Sequence, residues 1–279
     1  MLNIIILLLV LSFNVFSAVF GEYTDQTRQQ SPTVTLLQSL KVPSRAVILD
    51  VGCGDGKATA KIAELDSVLR VVGIDPDDHM VSRAQAAHKY VPKMEFVTTS
   101  IQEFSEENSY DISTCFMTLH WMSQEQQETS FRNIYRALKS EGELWATLLI
   151  EREKPRLNTG VRIAIESEKW REYFKNYQDP LFVAEPAFLR GVLSSLGFQI
   201  KRFVLDETTI GSFKNDEEFV DFIGIWSTYR KYFLDNEVLH REFWKDVISH
   251  YRRLTNQMEE PINFVDYYLI VHAVKEKRE

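Results

Sequence analysis

The feature that most narrows the fold is a junction near the first fifth of the chain. An apolar run, Ala46-Val47-Ile48-Leu49-Asp50-Val51, passes directly into Gly52-Cys53-Gly54-Asp55-Gly56. Runs such as Ala46–Leu49 lack polar alternation, as expected of a strand buried on both faces, which is the usual state of a strand in a parallel sheet. Glycine at alternate positions then admits positive φ and leaves the backbone bare, so a ligand can lie directly against it. A strand that ends in such a turn and re-enters as a helix belongs to an open α/β sheet. Ligands of these sheets lie beyond the carboxyl ends of the strands, where the strand order reverses.

The rest of the first half keeps the same rhythm. Helix-like Ala58–Leu65 precedes a second apolar run, Leu69–Ile74, closed by Asp75-Pro76. Asp77 stands where it caps a helix extending to Tyr90, with Pro76 just ahead of it. Met94–Val97 and Asp111–Met117 read as a third and fourth strand. Glu125–Leu138 reads as a helix, and Ser140-Glu141-Gly142 as a turn into the strand Leu144–Ile150. This alternation predicts a doubly wound, mostly parallel sheet with helices on both faces, its cofactor-binding core spanning 44–150. From Glu151 the texture becomes charged and aromatic. Helices are expected over Val161–Tyr177, Pro186–Leu196 (ended by Gly197) and Asp216–Asn256, and strands over Phe198–Leu205 and Phe264–Val274. Segments 151–184 and 207–260 read as helical lid insertions within a single domain over 22–279. Their aromatic residues serve more often as core than as ligand contacts.

Composition removes several classes. The chain has 279 residues, 44% hydrophobic and 26% charged, which is the make-up of a globular protein. Forty acidic against 32 basic residues give a formal charge of -8, without a Lys/Arg stripe, so nucleic acid is excluded as a partner. The two cysteines, Cys53 and Cys115, lack partners at metal-ligand spacing and read as small buried residues. Ile4–Phe20 is almost wholly apolar and is followed by Gly21, so residues 1–21 read as a signal peptide or membrane anchor. On that reading the membrane is met through this segment alone, and the protein is secreted or anchored; without a working leader it is cytoplasmic.

Charge refines what the glycine turn can hold. A dinucleotide places a pyrophosphate on the N–H groups at the helix start. Asp50 before the turn and Asp55 within it oppose an anion there and favour a ligand bearing positive charge. Asp75, at the end of the second strand, is placed to accept hydrogen bonds from two ribose hydroxyls.

On these residues the stretch Ala46–Ile150 resembles the class I S-adenosylmethionine-dependent methyltransferase superfamily. The resemblance implies a seven-stranded sheet with an antiparallel last strand, Phe198–Leu205 and Phe264–Val274 forming the final pair. It also implies S-adenosyl-L-methionine as cofactor, held by Asp50, Gly52, Cys53, Gly54, Asp55, Gly56, Asp75, Pro76 and Phe116. Thr118-Leu119-His120-Trp121 is similar to the corresponding segment of trans-aconitate and juvenile hormone acid methyltransferases, and Tyr23–Gln30 resembles the insect enzymes. By that match Gln30 and Trp121 contact substrate or the methionine end of the cofactor. One departure stands out: many members end the third strand on Asp to hold the adenine amino group, whereas spacing here puts Ser100 and Ile101 in that place.

The resemblance implies methyl transfer to a small molecule, with esterification of a carboxylic acid as the leading reading. His120 is the histidine best placed to meet an acceptor. A carboxylate has no proton to lose, so an orienting role suits His120 better than that of a general base. Trp121 reads as a pocket wall. Arg152, Lys154, Arg156 and Arg162 are candidates to neutralise an anionic acceptor, against the ordinary reading of solvated surface charge. Three alternatives stay open: methylation of a protein, hydroxyl or nitrogen acceptor, a non-catalytic relative that binds cofactor, and a nicotinamide-dependent oxidoreductase, against which Asp55 argues.

Overall fold

The structure, a computed structural model, describes residues 36–37, 39–150, 156–179, 181–223, 227–234 and 236–277. The leader 1–21, Tyr23–Gln30, Arg152 and Lys154 lie outside the described residues. Among the described residues, no helix is long and apolar enough to cross a membrane. The chain divides into two compact units, one comprising 31–152, 179–208 and 267–279 and the other including 153–178 and 209–266.

The expected sheet is present, and all of it but the end of its sixth strand and the start of its seventh belongs to the first unit. The strands of the sheet are β1 (Ala46–Val51), β2 (Val68–Asp75), β3 (Met94–Thr98), β4 (Tyr110–Phe116), β5 (Leu138–Leu149), β6 (Phe198–Phe213) and β7 (Ile262–Lys275). They lie in the order β3-β2-β1-β4-β5-β7-β6. The pairs β1–β2, β1–β4, β2–β3 and β4–β5 are parallel, and β7 runs antiparallel to β5, with Ala146 opposite Val271. Chain order reverses between β1 and β4, so the glycine turn leaves the sheet at the crevice where an open sheet binds its ligand. Ile48 and Leu49 are fully buried, as a strand covered on both faces requires.

Local signals set the helix ends. Helix α1 (Lys57–Ala63) starts from Gly56. Helix α2 (Asp78–His88) is capped by Asp77, whose carboxylate accepts the N–H groups of His79 and Met80. Helix α3 (Gln124–Ala137) opens on a reciprocal box in which the Ser123 hydroxyl accepts from Gln126 N–H and the Gln126 side chain accepts from Ser123 N–H. The second unit contributes α4 (Leu157–Glu166), and α5 (Pro186–Leu196), in the first unit, ends on Gly197 in the left-handed region.

Four boundaries differ from the sequence reading. Ser140–Gly142 is not a turn between elements but a kink inside β5, with Glu141 at φ 62° and a register shift opposite Tyr110/Ile112. Strand β6 continues eight residues past Leu205 to Phe213. The helix expected over Val161–Tyr177 stops at Glu166, where Ser167 turns extended, and successive turns follow. The long helix expected over Asp216–Asn256 is broken into α6 (Asp216–Ile223), a 3-10 turn Ser227–Phe233 and α7 (Glu237–Thr255). Asn236 explains the last break: its side chain accepts the N–H groups of Val238 and Leu239, which caps a new helix instead of continuing an old one.

The second unit has its own core. Trp170 meets Phe233 and Phe243 edge-on at 5.6 Å, and Phe174, Trp244 and Tyr251 are buried with them. These aromatics pack on one another, as expected of core residues. The Trp170 indole N–H donates to Asp246 at 2.7 Å, which satisfies the ring's polar edge. Gly160 lets α4 approach α7 closely, since a Cβ there would fall 2.8 Å from the Val247 carbonyl oxygen. Gly160→Ala is therefore expected to cost about 1–3 kcal/mol. A lowered thermal midpoint, with faster hydrogen exchange confined to α4 and α7, is the check.

Candidate functional site

The turn after β1 is held from below and left open above. Gly52 and Cys53 both donate to the Ile74 carbonyl, at 2.8 and 3.0 Å, which ties the end of β1 to the end of β2. Gly52, Gly54 and Gly56 all have positive φ, at 70°, 53° and 80°. Two of them are also fixed by crowding. A Cβ on Gly52 would lie 2.2 Å from the Thr118 side chain, and one on Gly56 would lie 2.7 Å from the Phe96 ring. Gly54 differs, because a Cβ there would meet nothing within 4 Å. The turn thus presents a bare left-handed backbone to open space.

Asp75 knits the two strand ends together. One carboxylate oxygen accepts from Gly54 N–H at 3.0 Å and the other from Asp77 N–H at 2.9 Å. Each oxygen has a second lone-pair direction for a ligand hydroxyl. Asp75 is half-buried, and Pro76 beyond it is exposed.

Asp50 takes a place the sequence did not show. It is buried beneath the turn, with its two oxygens accepting from Thr59 Oγ1 at 2.6 Å and Thr114 Oγ1 at 2.7 Å. Burial raises its pKa to about 6, against the lowering effect of the two hydroxyls. Asp55 also departs from expectation. Its carboxylate pairs with Lys57 at 2.8 Å and lies 4.0 Å from Arg83, so its charge is largely balanced within the protein. The negative character expected of the turn therefore falls to Asp50 and Asp75.

The remaining candidates divide between two segments. After β3, Ser100 donates to the Glu103 carboxylate at 3.0 Å and accepts Glu103 N–H at 3.2 Å, so its hydroxyl organises its own turn. Ile101 is buried, and its carbonyl accepts from Asn133 Nδ2 at 2.9 Å. After β4, Phe116 is buried and Met117, at φ 54°, donates to the Thr147 carbonyl at 2.8 Å. Leu119–Trp121 then forms a single 3-10 turn. His120 is buried, and its Nδ1 accepts Leu149 N–H at 3.3 Å, which leaves the ring proton of the neutral form on Nε2. Trp121 is 54% exposed and sits 5.6 Å from the His120 ring at a tilt. Cys53 is buried, and desolvation pushes its thiol pKa up, so it remains protonated. Arg156 is buried and 3.4 Å from Asp266, which is not the surface role read for it.

Sequence reading missed Thr59, Thr114, Gln127 and Asn133, and it named Thr118 without its contact to Gly52. The first two hold Asp50, Thr118 backs Gly52, and the amides hold loop carbonyls. No periodicity or spacing marks a threonine or an amide as a partner across the fold.

The chain is also similar to known proteins. Residues 48–142 match the profile described as a methyltransferase domain. Protein 235L of Invertebrate iridescent virus 6, named as a methyltransferase, is 30% identical over 144 residues, 52% of this chain and 52% of its own. Trans-aconitate 2-methyltransferase of Enterobacter sp. (strain 638) is 28% identical over 91 residues, 33% of this chain and 35% of its own. The matched regions thus span about half the length of the viral relative and about a third of the bacterial one. The solved mycolic acid cyclopropane synthase CmaA1, complexed with SAH and CTAB, superposes with a TM-score of 0.59 at 14% identity, over 90% of this chain and 85% of that one. That likeness is one of fold.

Asp50 links this site to pH. Its native pKa, near 6, lies above the ordinary carboxylate value near 4, so between those limits the folded state binds the extra proton. The stability this group contributes is complete below about pH 4 and is lost as pH rises through 6, a change on the order of 3 kcal/mol. Asp50→Asn has no such titration. Denaturant unfolding of both proteins from pH 4 to 7 is expected to show wild type losing stability relative to the variant across that window.

Proposed function

We propose that this chain, whose residues 48–142 match a methyltransferase domain, is a class I S-adenosylmethionine-dependent methyltransferase that transfers a methyl group to a small carboxylic acid. The observation that carries the cofactor reading is the turn itself. Gly54 offers bare, left-handed backbone beside open space, its N–H is held by Asp75, and Asp75 retains acceptor capacity for ribose hydroxyls. Asp50 lies directly under the turn without a cationic partner among its hydrogen bonds, so the local field suits an ammonium and a sulfonium and opposes a diphosphate.

These residues fit S-adenosyl-L-methionine. Asp75 would hold the ribose, Gly52–Gly56 would border the methionine and ribose, and the Ser100–Ile101 segment would border adenine. When bound, the sulfonium supplies an electrophilic methyl group. The protein's part is to align an acceptor with it and to exclude water. A carboxylate already carries its lone pair at neutral pH, so no base is needed. His120 accordingly orients: its Nδ1 is occupied by Leu149 N–H, and the imidazole fixes the turn that carries Trp121. The acid is favoured by the relatedness to trans-aconitate 2-methyltransferase and by the likeness of Leu119-His120-Trp121 to acid methyltransferases.

Calorimetry with S-adenosylmethionine is expected to show saturable binding, and its absence from folded protein sinks the reading. Gly54→Ala should fold, at a cost of about 1–2 kcal/mol for the left-handed conformation, yet bind at least tenfold more weakly because the methyl group enters the open space. A panel of tricarboxylic and terpenoid acids with labelled cofactor should yield base-labile methyl esters. Transfer confined to amines or phenols overturns the acid reading and leaves the cofactor reading intact.

A further inference from the structure

Helix α3 turns a row of uncharged polar side chains into the protein, and two of them are buried amides. Gln127 is fully buried. Its Nε2 donates to the carbonyls of Leu119 at 3.0 Å, Met122 at 3.2 Å and Phe182 at 3.0 Å. Leu119 and Met122 bracket the turn that carries His120 and Trp121. Phe182 is joined to the same turn again, since its N–H donates to the His120 carbonyl at 2.9 Å. Six residues on along the helix, Asn133 Nδ2 donates to the Ile101 and Gln102 carbonyls at 2.9 and 3.0 Å.

Between the two amides lies Ser130, which donates to Gln126 O at 2.7 Å and accepts from Gln102 Nε2 at 2.9 Å. Gln102 Nε2 is also 3.2 Å from the Met122 sulfur. The helix therefore reaches one loop after β3 and one turn after β4, each through backbone carbonyl oxygens, one of which, Leu119 O, also accepts Met122 N–H within the turn.

We infer that Gln127 is a positioning residue for the acceptor side of the site, fixing the Leu119–Met122 turn and with it Trp121, while Asn133 fixes the Ser100–Gln102 loop on the cofactor side. The role rests on the methyl-transfer reading, but the geometry behind it does not. Three carbonyls converge on two N–H groups in a buried setting. A side chain that merely filled space there would take the amide donor from the Met122 and Phe182 carbonyls and leave Leu119 O with only Met122 N–H, each loss at a cost comparable to a lost hydrogen bond. An exposed tryptophan such as Trp121 gains little rigidity from its own packing, so the turn's anchoring decides where the ring stands.

The test uses full-length protein labelled with 5-fluorotryptophan, which has five fluorine signals for its five tryptophans. Trp121→Phe identifies the Trp121 signal by its loss. In Gln127→Met, similar in length but without donors, the Trp121 signal is expected to shift or broaden while the Trp145, Trp170, Trp226 and Trp244 signals stay in place. Affinity for S-adenosylmethionine by calorimetry should stay within about twofold of wild type. Asn133→Leu should do the reverse, weakening cofactor affinity several-fold with the Trp121 signal unmoved.

Should Gln127→Met not fold, Gln127→Glu keeps the shape while replacing the donating nitrogen by oxygen, and the same shift is expected. An unmoved Trp121 signal in a folded Gln127 variant overturns the inference. So does a general shift of all five signals, or a loss of cofactor affinity equal to that of Asn133→Leu. Failure of wild type to bind S-adenosylmethionine, with the fluorine pattern as expected, would instead remove the methyltransferase reading and leave the anchoring of the turn standing.

Discussion

The Asp50 carboxylate, buried between the hydroxyls of Thr59 and Thr114, is the interaction on which the site depends. It joins β1, α1 and β4 at the point where the chain leaves the sheet. A buried carboxylate is costly unless hydrogen-bonded, and here each oxygen has a donor within 2.7 Å. The two hydrogen bonds join three elements, and the carboxylate, once ionised against its desolvation cost, sets a negative potential under the turn. The backbone above it, left-handed at the three alternate glycines, is held by Ile74, Asp75 and the walls formed by Thr118 and Phe96.

Around that clasp the protein separates charge from support. Asp55, the most conspicuous acidic group in the turn, is balanced by Lys57 and Arg83. Asp75 spends one bond from each oxygen on the backbone and keeps the rest of its capacity. The loops that carry the recognition residues are fixed by neutral groups, Gln127, Ser130 and Asn133, which hold carbonyl oxygens without adding to the field. A helix face of buried amides is well suited to this, because an amide can satisfy several carbonyls and carries no desolvated charge.

How much was legible in the chain follows from which forces are local. Strand β1 ends where its apolar run ends, and Asp77 caps α2 as its position suggested, because a buried strand and an N-cap are each written in a few adjacent residues. The aromatic segment was harder. Its periodicity suits one long helix from Asp216, yet packing of Tyr229 and Phe233 beside Trp244 and the cap at Asn236 divides it into three pieces. Likewise Ser140–Gly142 carries turn residues but is absorbed into β5 as a kink, since pairing with β4 resumes at Glu143. Tertiary contacts outweigh propensity in both places.

The sequence by itself determined the doubly wound sheet, the place of the glycine turn and the acidic residue at the end of the second strand. Each is encoded by neighbours in the chain: runs of buried side chains, glycines that alone tolerate the backbone angles, and a residue at a strand terminus. Only the tertiary structure decided which carboxylates keep their charge available, which hydroxyls hold Asp50, and which amide anchors the turn of His120 and Trp121. Those outcomes depend on groups separated by as many as 64 residues, such as Asp50 and Thr114. Hydrogen-bond partnership at that range is fixed by the folded path of the backbone, which no short window of residues records.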